Sequence, residues 1–231
     1  LNPNDATLSD SKVATFSVVI PTYNESGNIL RLITEIEKNL PTSQFTEIII
    51  VDDNSPDGTG KLVENYIDKQ ENNAKKDSSA DSNSKNCRVK IVNRTVKNGL
   101  IPAILDGVKQ SSGTNILIMD ADFSHPPEVV PKIMHELALN PNSIVIGSRY
   151  IEGGKVVGWP QRRKILSKGA STLARLGLNV KRVKDPMSGF FALPRELLQN
   201  ISIDTKGYKI LLEILVKNKE IPIKEIPYTF T

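Results

Sequence analysis

Cysteine and histidine are nearly missing from this chain. Its single thiol, Cys87, cannot form an internal disulfide, which favours a reducing compartment. Its two histidines, His125 and His135, lack other donors at ligand spacing, which argues against a His-rich zinc site. No run approaches the roughly 20 consecutive apolar residues that span a bilayer. The longest runs, such as Ile48-Ile49-Ile50-Val51, have strand length. No charged-then-apolar leader follows Leu1. No Gly-x-Gly-x-x-Gly follows the first apolar run, which disfavours a nicotinamide dehydrogenase. Acidic residues are absent from residues 155–184, a window that holds nine Lys or Arg. Outside it 21 basic residues meet 26 acidic ones, so the net charge of +4 originates in that block. Such a block attracts phosphate, nucleic acid or an anionic membrane surface, or is simply a solvated helix face. Nucleic acid ranks low, because only Trp159 interleaves the cations.

What is present suits one α/β domain: 231 residues, 39% hydrophobic and 24% charged. Residues 1–15 are polar and aperiodic and read as a loose arm. Residues 70–86 are rich in Asn, Ser, Asp and Lys and read as a disordered insertion. Strands are predicted at Phe16–Ile20, Ile48–Val51, Arg88–Asn93, Asn115–Met119 and Ser143–Gly147. Helices are predicted at Glu25–Leu40, from Gly58 to about Lys69, from about Pro102, at Pro127–Leu139 and from about Gln161. Alternation of this kind implies a mostly parallel sheet covered on both faces, with ligands at the carboxyl ends of its strands. Pro-Thr-Tyr-Asn-Glu follows the first strand, Asp-Asp-Asn-Ser the second, Asp-Ala-Asp the fourth and Ser-Arg-Tyr the fifth. Four polar clusters therefore fall on one sheet edge.

Each cluster permits both a chemical and a structural reading. Asp120 and Asp122 stand at i and i+2, so in extended chain they face the same side and suit Mg²⁺ or Mn²⁺. They equally suit an Asx-turn or helix cap. Asp53 can accept hydrogen bonds from a base or ribose, or serve its own turn. Glu25 can meet a ligand or sit in a first helical turn. Tyr23 can stack on a base or pack. Arg163 and Ser167 are i,i+4 neighbours that can hold a phosphate, with Arg149 as a second cation, or belong to a solvated helix. Glu213 is read as an i,i+4 partner of Lys217 or Lys209 rather than as a base. His125 is read as structural by default, with contact to the site as the lesser alternative.

Together these clusters resemble the family-2 inverting glycosyltransferases of the nucleotide-diphospho-sugar (GT-A) fold, and within them the polyprenyl or dolichyl phosphate mannosyltransferase branch, especially its archaeal type. The likeness runs from about Phe16 to Phe230. It is carried by Val18–Glu25, Val51–Asp57, Met119–Pro127, Gly147–Tyr150 and Asp185–Phe191. The resemblance implies a single GT-A domain. Residues 16–150 would form its nucleotide-sugar and metal half, and residues 151–231 its acceptor half. Pro21, Tyr23, Glu25, Val51 and Asp53 would line a guanosine pocket. Asp120, Ala121 and Asp122 would hold the diphosphate, with Asp122 the main metal ligand, Asp120 assisting and Ser124 nearby. Arg149 would reach the donor diphosphate or the acceptor phosphate, and Arg163 and Ser167 the lipid phosphate.

The implied reaction moves mannose from GDP-mannose to a polyprenyl monophosphate, with a divalent cation, at the cytoplasmic side of a membrane. UDP-glucose as donor, a metal-dependent phosphohydrolase and a silent nucleotide-sugar binding module are the alternatives. Two departures from the resemblance stand out. Ser124 occupies a position where archaeal relatives often carry Gln, and Gly99-Leu100-Ile101-Pro102 replaces a smaller, more flexible sequence. The chain opens on Leu1 and closes on Thr231, ahead of a basic motif that the family places next. We therefore expect a piece of a longer protein, with room for membrane segments beyond either end.

Overall fold

The computed structural model describes residues 15–76, 86–178, 180, 182–199, 203 and 209–231. All but Thr15 of the expected N-terminal arm, and residues 77–85 of the expected insertion, lie outside the described residues.

The strands are β1 (Phe16–Thr22), β2 (Thr46–Asp52), β3 (Cys87–Asn93), β4 (Asn115–Ile118), β5 (Ile144–Ser148), β6 (Lys155–Val156), β7 (Phe191–Pro194), β8 (Ile223–Pro227) and β9 (Thr229–Phe230). The helices are α1 (Ile29–Asn39), α2 (Thr59–Lys76), α3 (Leu100–Gln110), α4 (Val130–Leu139), α5 (Gln161–Gly177), α6 (Arg195–Gln199) and α7 (Ile210–Lys217). Seven strands form one sheet in the order β3-β2-β1-β4-β7-β5-β8, while β6 and β9 make a small parallel ribbon. Every pair in the large sheet is parallel except those of β7, which runs antiparallel to β4 and β5.

The apolar runs explain this arrangement. Every residue of β1 and β2 is buried, as a strand covered on both faces requires. Alternate residues then divide between two cores. Val18, Ile20, Ile48 and Ile50 join the α1 stripe of Ile29, Leu32, Ile33 and Ile36. Val19, Ile49 and Val51 join Ile104 and Val108 of α3 and Ile214 of α7. Helix α3 lies close against the sheet at Gly107. A Cβ there would fall 2.5 Å from Val19 Cγ1 and 2.9 Å from Val51 Cγ2.

Several elements differ from expectation: α1 begins at Ile29 rather than Glu25, and β6, β8, β9 and α6 were not anticipated. Helix α2 runs to Lys76 rather than stopping near Lys69, so residues 70–76 of the expected disordered insertion are helical. Its continuation is fastened to α1: the Tyr66 hydroxyl and Gln70 Nε2 donate to Glu37 at 2.6 and 3.1 Å. Strand β7 was not anticipated, being four residues long and closed by Pro194.

The chain leaves β1 for β2 on one side and later returns to β4 on the other. That reversal opens a crevice beyond the carboxyl ends of β1 and β4.

Candidate active site

The acidic turn starts where β4 and Met119 end. The Asp120 backbone N–H donates to His125 Nδ1 at 2.9 Å. That bond fixes the imidazole tautomer, leaving the ring proton on Nε2, which lies 3.7 Å from Asp120 Oδ2. His125 is buried and stacks on Phe190 with centroids 5.0 Å apart. Burial pushes its pKa down to about 3, so the ring is neutral. The Asp120 carboxyl moves the other way, to about 6. Loss of water raises it most and the charge of Asp122 raises it further, against Lys209 and Arg149.

Asp122 Oδ1 accepts the Ser124 N–H at 3.0 Å, closing a tight turn over Phe123. Phe123 has φ of 61°, and Asn24 and Asn54 have 60° and 61°. All three left-handed residues follow strands at the same sheet edge, where backbone strain commonly accompanies function. The Ser124 hydroxyl is buried without a hydrogen-bond partner among the described residues.

A divalent cation fits this turn. Burial first, and then the charge of Asp122, disfavour the ionised Asp120 carboxyl there, and an orphaned hydroxyl adjoins the two acids. The described residues include no cluster of three or more His, Cys, Asp or Glu that could hold a metal ion. Most of a cation's shell would therefore come from ligand oxygens and water, as is usual for Mg²⁺.

Arg149 follows β5 directly. Its Nε and NH2 groups donate to Asp185 at 2.7 and 2.8 Å, and its backbone N–H to the same carboxylate at 3.1 Å. Burial opposes its charge, but the hydrogen bonds and charge of Asp185 outweigh burial and raise its pKa. The guanidinium lies 5.4 Å from the Phe230 ring centroid and 5.9 Å from that of Trp159. The β6–β9 ribbon holds these two rings together, 5.1 Å apart and edge to face. Asp120, His125, Arg149, Trp159, Lys209 and Phe230 all border one pocket of about 220 Å³, whose inner wall includes Ile104, Ile118 and Phe191.

The other expected residues are placed more variously. Tyr150 lies between Arg149 and Ser167, its hydroxyl 2.7 Å from Ser167 Oγ. Arg163 falls in the first turn of α5, but its side chain is outside the described residues. Asp53 is buried, and its carboxylate accepts Arg94 NH1 and the N–H groups of Asn98 and Gly99, at 3.1 and 2.9 Å for the latter two. It thus fastens the loop between β3 and α3. Pro21 and Val51 are buried and paired in register within the sheet, and Ala121 is buried in the core. Tyr23 is exposed, with Lys97 Nζ 3.3 Å above its ring. Glu25 accepts from Asn28 Nδ2 at 2.9 Å. Glu213 meets Lys217 at 2.6 Å, as its i,i+4 spacing implied.

The chain is similar to known proteins. The profile described as "Glycosyl transferase family 2" matches residues 17–216. The chain belongs to that family. It is 42% identical to the dolichol-phosphate mannosyltransferase of Pyrococcus furiosus over 93% of this chain and 56% of that protein. It is 34% identical to the dolichol-phosphate mannosyltransferase of Saccharomyces cerevisiae, over 93% of this chain and 77% of that one. The chain therefore spans little more than half the length of the Pyrococcus relative. Among solved structures, mannosyltransferase PcManGT from Pyrobaculum calidifontis, in complex with GDP-Man and Mn²⁺, shares the fold at TM-score 0.65 and 19% identity. The match covers 95% of this chain and 57% of that one. The family-2 domain is thus a single GT-A unit with a mostly parallel sheet.

Lys209, which borders this pocket, and Asp185, which holds Arg149 from outside its lining, escaped the sequence reading. Asp185 entered only within a motif, because Glu152 is the acid nearer to Arg149 in sequence and nothing local ties Arg149 to a residue 36 positions later. Lys209 entered only as a helical neighbour of Glu213, because nothing local ties it to a turn 89 residues earlier. His125, read as structural with contact to the site as the alternative, is both buried and on the border of the pocket.

Proposed function

We propose that this family-2 domain moves mannose from GDP-mannose to a polyprenyl (dolichyl) monophosphate, with inversion at the anomeric carbon. The observation that carries this reading is the meeting of Asp120 and Arg149 at one pocket, with Asp122 close enough to shift the Asp120 carboxyl. Acids suited to a cation-bridged diphosphate there face a buried guanidinium suited to phosphate. The names of the Pyrococcus and Saccharomyces relatives support mannose and a dolichyl acceptor.

In this reading Asp120 and Asp122 hold the cation beside Ser124, with Asp122 the main ligand. When bound, the cation, Mg²⁺ or Mn²⁺, supplies Lewis-acid charge to the leaving diphosphate. Tyr23, Glu25 and the edge made by Pro21, Val51 and Asp53 border the guanosine, and Asp53 acts through the loop it fastens. Arg149 stabilises charge on the phosphates. Arg163 and Ser167 orient the lipid phosphate for in-line attack. That phosphate is ionised at neutral pH and needs no strong general base, which agrees with the pairing of Glu213 to Lys217.

The acid-free block supports a membrane surface as partner. Lys155 on β6, Val157 after it, and Arg162 and Leu166 on α5 are each exposed, so the segment offers both cations and apolar side chains to solvent. Among the described residues no helix is long and apolar enough to cross a membrane.

A screen of GDP- and UDP-sugars against a short polyprenyl phosphate tests the proposal. Transfer from GDP-mannose, abolished in Asp122→Ala with the fold retained by circular dichroism, is the expected result. Transfer from UDP-glucose alone would move the reading to a glucosyltransferase. Release of phosphate or nucleotide without acceptor would make the domain a hydrolase.

A further inference from the structure

We infer that Asp185 is a positioning residue for Arg149, and that Glu225 anchors it from the next strand. The inference rests on the transferase reading and identifies how that site fixes its phosphate-facing cation. Asp185 is fully buried. Among the described residues its carboxylate accepts three hydrogen bonds, all from Arg149: Nε at 2.7 Å, NH2 at 2.8 Å and the backbone N–H at 3.1 Å. A carboxylate has about four lone-pair sites, so Asp185 has almost nothing left to offer a substrate. Its own backbone is held in turn. The N–H groups of Lys184 and Asp185 donate to Glu225 at 2.9 and 3.1 Å.

Glu225 stands on β8, which pairs with β5, and β5 delivers Arg149. The chain of contacts therefore closes on itself, from strand to loop to guanidinium and back to the adjoining strand. One edge of the guanidinium fork is committed to Asp185. Arg149 borders the pocket, so the N–H groups outside that edge remain for a bound phosphate. A fork pinned through two nitrogens cannot swing. Such rigidity matters, because a misplacement of about 1 Å can cost on the order of a hundredfold in rate. Lysine, a point charge without a fork, could not be pinned in this way.

The test uses the full chain with GDP-mannose, Mn²⁺ and a short polyprenyl phosphate. Asp185→Asn keeps the shape and removes the charge. Its kcat is expected to fall about a hundredfold, with donor KM changed far less. Glu225→Gln, outside the pocket, is expected to lower kcat by a smaller factor and keeps the test open should Asp185→Asn fail to fold. A role confined to stability would lower the melting temperature of both variants but leave kcat intact below it, and that result overturns the inference. Chemical rescue gives a second readout. Guanidinium ion should restore activity to Arg149→Ala and fail to restore it to Arg149→Ala/Glu225→Gln. Equal rescue in both also overturns the inference. Should wild type transfer no sugar at all, the transferase reading fails by itself. GDP affinity by calorimetry then decides the matter, with about tenfold weaker binding to Asp185→Asn or Glu225→Gln expected and unchanged binding contrary.

Discussion

Two neighbouring side chains in the acidic turn respond to pH in opposite senses. Asp120 carries a folded-state pKa of about 6, above its ordinary 3.8. The native protein therefore holds that proton more tightly, and the stability it contributes is full at low pH and lost as pH climbs from about 4 through 6. His125, depressed to about 3 from 6.5, does the reverse, and its contribution is lost as pH falls below about 6.5. Asp120→Asn removes only the first effect. Its melting temperature should exceed that of wild type above pH 6, the gap closing towards pH 4, while sugar transfer is lost. Scanning calorimetry across pH 4–7.5 checks this, and a constant gap would refute it. The acids at this turn were legible because they follow a run of apolar residues directly. Their conflict was not, since it depends first on burial, which only the folded chain supplies, and is eased by Lys209 and Arg149 arriving from far along the chain.

Elements built from long apolar runs were the easiest to read. The α1 stripe and the buried runs of β1 and β2 fall where their periodicity put them. Elements held by distant partners were harder. Strand β7 is a strand because β4 and β5 flank it, and its four residues carry little pattern of their own. The polar end of α2 reads as loose until Glu37 of α1 is seen to receive Tyr66 and Gln70. Close packing of α3 makes a further prediction. Gly107→Ala would press a methyl group into Val19 and Val51 at 2.5 and 2.9 Å, inside a core with no slack. Overpacking of this kind costs about 1–3 kcal/mol. The urea midpoint should fall without a change in slope, and an unchanged midpoint would show that α3 can shift outward.

Across the whole molecule, the sheet separates labour between its two ends. The carboxyl ends of the strands carry the pocket. At the opposite end Glu47, 1% exposed, accepts from Ser17 Oγ at 2.5 Å, from Lys90 and from the Ser112 N–H. Burial works against its charge, but these donors hold its pKa at about 2, below the ordinary 4.5. Its stabilisation is therefore present above pH 4.5 and lost as pH falls towards 2. Glu47→Gln, which breaks a buried pair, should cost on the order of 3 kcal/mol. The same variant should leave kcat/KM for transfer unchanged at 25 °C, and a matching loss of activity would contradict the separation.

The antiparallel insertion of β7 also shapes how this protein can be made. Strand β4 receives its second neighbour, and β5 its first, only from residues 191 onward. On a ribosome moving at about 5–20 residues per second, the growing chain waits roughly 4–15 seconds between the emergence of β4 and that of β7. Throughout that interval a row of unpaired backbone N–H and C=O groups on an apolar strand stands open to any passing strand. Chaperone capture of nascent chains should therefore peak between residues 118 and 191 and fall away once Phe191 has cleared the exit tunnel.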